Sequence, residues 1–81
     1  MDSKEQQISV EIGARLKEYR RHQGKTQQMF ADDLNSFDRS NLSKIERGER
    51  SVDADFLYYL LKHYPSIRLE WLILGHGTME K

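Results

Sequence analysis

Ile8, Ile12, Leu16 and Tyr19 recur every three or four residues, the spacing that lines up side chains on one face of an α-helix. Gly24 follows soon after and can take the left-handed turn that stops a helix, so a first helix is expected from about Ser9 to His22. A second opens at "KTQQMFADDL": Thr26 can cap its first free amides, and Phe30, Ala31 and Leu34 face inward. Asn35 tolerates the left-handed backbone and is a natural terminator. A third runs from Asp38, another capping type, to Gly48. A fourth starts at Asp53 and carries Phe56, Leu57, Leu60, Leu61 and Tyr64, the most apolar face in the chain, until Pro65 ends it. "RLEWLIL" makes a short fifth helix closed by Gly75, with Leu69, Leu72 and Ile73 completing the core. No stretch alternates with period two, so no sheet is expected. The fold class is therefore all-α, a bundle of about five short helices. Residues 1–7 read as a flexible N-terminal segment, 8–75 as the folded domain and 76–81 as a loose C-terminal tail.

The third helix is out of character with the rest. In "SFDRSNLSKIERGER" only Leu42 and Ile45 are clearly apolar, three apart and on one side. Arg39, Ser40, Ser43 and Lys44 fall on the outer or leading side. So polar a segment gains little by covering a core. Two short helices joined by a tight turn, the second of them polar, suggest a helix-turn-helix. In that motif a few apolar anchors hold the second helix while its free side enters the major groove of DNA. Arginine and lysine can pair with guanine there, and serine with several bases.

Composition narrows the alternatives. The 81 residues include no cysteine, which removes disulfides, thiolate metal sites and cysteine nucleophiles. No apolar run approaches the roughly 18 residues of a membrane span, and the start "MDSKEQQ" lacks a signal-peptide apolar region, so a cytoplasmic protein is expected. The net charge is zero, but residues 15–50 hold nine Lys/Arg against six Asp/Glu, leaving a mildly basic middle between acidic ends. His22, His63 and His76 have no metal-ligand spacing, and Ser40 and Ser43 have no paired base. No enzyme, metal or cofactor is expected. Asp32 and Asp33 would repel a phosphate, so they should point away from any nucleic acid.

"IGARLKEYRRHQGKTQQMFADDL…SNLSKIERGER" resembles the phage-repressor and Cro-like (Xre-type) helix-turn-helix family over roughly residues 10–75. The specific parts are "GKTQ", "FADDL" and "LSKIERG", and the ending "LEWLILGHG" is similar to that family's last helix. The resemblance implies a lambda-repressor-like DNA-binding domain in a bacterial or phage transcriptional regulator. By position, Arg39, Ser40 and Lys44 match recognition residues, with Asn41 and Ser43 beside them. Gln27 and, next to it, Gln28 fall where a phosphate is touched at the start of the second helix; Gln27 also matches a buttress of the third. Arg47 and Arg50 match the loop that grips the phosphate chain. Arg20 and Glu46 match a supporting ion pair between the first and third helices. Two departures stand out. The stretch from Ala31 to Leu42 is one residue longer than the usual pattern, with Asn35 where glycine is typical, and Arg68 replaces the capping Asn or Ser ahead of the last helix. The expected function is sequence-specific double-stranded DNA binding by a repressor, acting as a homodimer on a palindromic operator. The dimer would form through the last helix, around a partly exposed Trp71 and Leu74. The alternative is an antitoxin-like or other protein-interaction module on the same scaffold, with a protein as partner.

Overall fold

The computed structural model describes residues 3–81. Five helices follow one another: α1 (Ser3–His22), α2 (Gln27–Asp33), α3 (Arg39–Glu46), α4 (Ala54–His63) and α5 (Leu69–Leu74). The fold is all-α, and among the described residues the only β-type pairing is an isolated bridge between Ile67 and Glu80. No described helix is long and apolar enough to cross a membrane.

Local chemistry sets most of the boundaries. The Thr26 hydroxyl accepts from the Met29 amide at 3.1 Å, and the Asp38 and Asp53 carboxylates accept from the Ser40 and Phe56 amides, each at 2.9 Å. These bonds satisfy donors that the first turn of a helix leaves open. Two helices end alike. At α1 the Gly24 amide bonds the Arg21 carbonyl and the Lys25 amide bonds Arg20; at α3 Gly48 bonds Ile45 and Glu49 bonds Lys44. Both are Schellman endings, with the glycine at φ 70° and 78°.

The core joins all five helices. Leu16 and Tyr19 of α1 meet Phe30, Ala31 and Leu34 around α2, Leu42 and Ile45 of α3, Phe56 and Leu60 of α4 and Leu72 of α5, all buried. Tyr64 stacks on Phe30 at 5.2 Å between ring centroids and meets Tyr19 edge-on at 5.7 Å. Its hydroxyl donates to Asp33 at 2.6 Å, just as that of Tyr19 donates to Glu80 at 3.0 Å. Burial first, then the adjacent carboxylate, pushes both phenols well above their ordinary range.

Three expectations need correction. The first helix begins at Ser3, not near Ser9. Of the segment 1–7 expected to be flexible, residues 1 and 2 lie outside the described residues, while 3–7 form the opening turns of α1. Lys, Glu and Gln are good helix formers even without an apolar rhythm, and Glu5 suits the positive end of the helix dipole. The tail is docked, not loose: Arg68 donates its amide to Met79 at 2.9 Å and Lys81 to Ser66 at 2.8 Å. The Glu80 carboxylate accepts from Tyr19 and Gln23, both at 3.0 Å, and lies 3.4 Å from His22. Trp71 is only 9 % exposed and belongs to the core, whereas Leu74 is 59 % exposed.

The α5 helix is short, and Arg68 gives it no side-chain cap. Its other end is held from a distance. Arg15 of α1 donates to the Leu72 and Ile73 carbonyls at 2.7 and 2.9 Å, satisfying acceptors that the helix cannot.

Candidate nucleic-acid interface

The position of α3 is set first by Gly13. A Cβ there would lie 2.1 Å from the Ile45 carbonyl oxygen and 2.9 Å from that of Glu46. Only glycine lets α1 approach the end of α3 so closely. Leu42 and Ile45 then anchor the inner side, at 0 % and 2 % exposure.

A polar lock holds the same crossing. Arg20 donates to both oxygens of Glu46, at 2.7 and 3.1 Å, and to the Lys25 carbonyl at 2.8 Å. Gln27 adds a third donor, its amide nitrogen 3.0 Å from Glu46 Oε1. Arg20 and Glu46 are buried, and each guanidinium nitrogen and each carboxylate oxygen has a partner. The lock thus links α1, the start of α2 and the end of α3. Gln27 keeps a second amide proton that the lock does not use.

The connection between α2 and α3 contains two consecutive left-handed positions, Asn35 at φ 60° and Ser36 at φ 56°. The Phe37 amide then returns to the Ala31 carbonyl at 2.9 Å. Phe37 packs edge-on against Phe56 at 5.1 Å, which pins the turn to α4. Only the first of the two left-handed residues is legible in sequence, because serine carries no such signal.

The outer side of α3 is open. Arg39, Ser40 and Lys44 are exposed, and Asn41 and Ser43 are half-buried along its flank. The side chain of Arg39, at the first helical position, makes no hydrogen bond or ion pair among the described residues. The neighbours are engaged to different degrees. Gln28 donates to Asp32 at 2.9 Å within α2. Arg50 lies over the Phe37 ring at 5.8 Å and 3.9 Å from Asp53. Arg47 grips Glu49 at 2.9 and 3.2 Å and also donates to the Ser43 hydroxyl. Asp33 is drawn toward Lys25 at 3.0 Å and His63 at 3.7 Å, so its charge is partly neutralised inside the molecule. The hydrogen bond from Tyr64, then Lys25, holds its carboxyl below the usual range. Glu49 is the residue near this surface that sequence reasoning passed over. Its pairing depends on the turn after α3, not on a helical spacing.

Two adjacent helices crossing at a fixed angle, the second with a polar exposed side, define a helix-turn-helix DNA-binding domain. The helix-turn-helix family model matches residues 16–72, most of the chain. The chain belongs to this family, of the Xre and lambda Cro-like type, and is a helix-turn-helix DNA-binding regulator. No curated protein and no solved structure matches it.

Proposed function

We propose that this protein binds a specific double-stranded DNA sequence through the outer side of α3 and acts as a repressor, paired with a second copy on a palindromic operator. The observation that carries the reading is the state of α3. Its inner side is fixed by Leu42, Ile45 and the Arg20–Glu46–Gln27 lock, while Arg39, Ser40 and Lys44 stand uncovered. Arg39 and Lys44 supply charge, and Ser40, Asn41 and Ser43 supply hydrogen-bonding groups for base edges. Gln27 through its spare proton, Gln28, Arg47 and Arg50 serve the phosphates on either side. One such helix covers few base pairs, so two half-sites about 34 Å apart supply the missing specificity. The exposed Leu74 edge of α5 is the proposed meeting surface, with Trp71 supporting it from inside the core.

Selection from random duplexes, read by sequencing, tests this directly and reveals half-site symmetry. On the selected duplex, Arg39→Ala should cost about 1–3 kcal/mol and relax the preference at one base position, whereas Arg50→Ala should weaken all sequences alike. Equal, sequence-blind losses would place the recognition surface elsewhere. Binding that did not fall with salt would sink the DNA reading and favour a protein partner.

A further inference from the structure

Arg47 and Arg50 border the same loop, yet only Arg47 is tied down at both ends. Its guanidinium meets the two oxygens of Glu49 at 2.9 and 3.2 Å and reaches back to Ser43 on the flank of α3. Two parallel N–H groups on two oxygens is also the geometry with which arginine holds a phosphate. Glu49 therefore occupies the donors that a phosphate would take. The acid is not there by the accident of a floppy side chain. Its own amide bonds the Lys44 carbonyl at 2.9 Å, in the Schellman turn that Gly48 makes possible at φ 78°. The turn that ends α3 thus presents the carboxylate to Arg47. The pair is open to solvent, with the side chains 53 % and 56 % exposed, so an incoming anion can reach it. Arg47 first, and Lys44 as a smaller influence, hold the Glu49 carboxyl below its usual range, so it stays charged at neutral pH.

We infer that Glu49 is an internal phosphate mimic that holds Arg47 off the DNA backbone and must be displaced before the loop can grip. This rests on the DNA-binding reading above and deepens it. The consequence is a regulator whose backbone grip is restrained. An approach that brings a phosphate close to Arg47 displaces the carboxylate, and a loose encounter does not. Poor nonspecific binding follows, in keeping with the zero net charge of the chain.

The test is a double-mutant cycle on the full chain, titrated with a mixed-sequence duplex about two helical turns long at several salt concentrations. Glu49→Gln keeps the shape and removes the charge. It should raise affinity about two- to fivefold at low salt, since exposed ion pairs are weak. The plot of log affinity against log salt should steepen by up to about one phosphate contact. Removing any acid near DNA helps binding through the general field, so the second arm decides. In an Arg47→Ala background the gain from Glu49→Gln should shrink to the small part that the field alone supplies. A gain that persists undiminished there would show that Glu49 acts only through the field, and would overturn the inference. So would Glu49→Gln binding exactly as the parent does. If the parent protein binds no duplex in a salt-dependent way, the DNA reading itself fails and the inference goes with it.

Discussion

The helices α3 and α4 are of similar length, eight and ten residues, and both start from an aspartate cap, but they are held by opposite means. Phe56 and Leu60 of α4 are fully buried, Leu57, Tyr59 and Leu61 pack against the same core, and Tyr64 stacks on Phe30 just beyond. Apolar burial fixes α4 with little need for polar contacts. The α3 helix buries two apolar residues and one acid, Glu46. Its orientation comes from directional contacts: the Gly13 crossing, the Asp38 cap and the lock on Glu46. The difference follows from what each helix leaves outside. A helix that keeps one side free for a ligand cannot be gripped by hydrophobic burial on most of its circumference. Hydrogen bonds and a close crossing replace it, and those set angle more tightly than they add stability.

The largest effect should come from the apolar side of this contrast. Phe56→Ala removes a fully buried ring that touches Phe37 and should cost about 4 kcal/mol of folding stability. Chemical denaturation would show it, and duplex affinity of the remaining folded fraction should change little, because α4 carries none of the proposed contacts. A strong loss of affinity at full folding would mean that α4 orients α3 more than the polar lock does.

Glu46→Ala comes next and should separate the two helices most clearly. It leaves the Arg20 charge buried with only the Lys25 carbonyl for company, at a cost of about 3 kcal/mol. Unlike Phe56→Ala, it should also reduce duplex affinity in the folded fraction, since Gln27 and Arg20 lose the acceptor that ties them to the end of α3. Stability lost without affinity would show that the lock is a support of the fold and sets no angle.

Much of this contrast was legible in the chain. The three- and four-residue spacings marked Ile12, Leu16, Tyr19, Phe30, Leu34, Leu42, Ile45, Phe56, Leu60 and Leu72 as inward, and all are buried, whereas Ile8, on the same rhythm, is 49 % exposed. Thr26, Asp38 and Asp53 announced helix starts because capping is local chemistry, settled within three residues. The Arg20–Glu46 pair was suggested by resemblance alone; the spacing of 26 residues holds no signal. What failed to show lacked a rhythm, was long-range or depended on loop geometry. The opening turns of α1 have no apolar rhythm, and residues 4–7 stay exposed, so no periodicity marks them as helix. The tail is held by Glu80 against Tyr19 and Gln23, partners about sixty residues away. Trp71 read as half-open because a six-residue helix is too short for its periodicity to tell inside from outside. The exposed state of Arg39, Ser40 and Lys44 followed from the polar run itself, whereas the capture of Arg47 by Glu49 needed the backbone of the turn.

The smallest predicted effect lies where the two helical regimes meet, at Asp33. This carboxylate at the end of α2 accepts from Tyr64 beyond the end of α4, and pairs with Lys25 and His63. Its pKa is lowered on folding, first by the Tyr64 hydrogen bond and then by Lys25. A carboxyl with a depressed folded pKa binds a proton more readily when unfolded. Its contribution is therefore complete above the ordinary carboxylate range, about pH 4, and is lost as pH falls through the lower folded value. Thermal unfolding of the parent and of Asp33→Asn should differ by a constant, modest amount from neutral pH down to about pH 5, and the two should converge in stronger acid. Tyr64→Phe should shrink that pH-dependent gap, since the leading cause of the shift is removed, while leaving the Lys25 pair in place. A gap that widens toward acid would reverse the sign of the argument. A gap untouched by Tyr64→Phe would assign the depression to Lys25 and detach α4 from the polar side of the molecule.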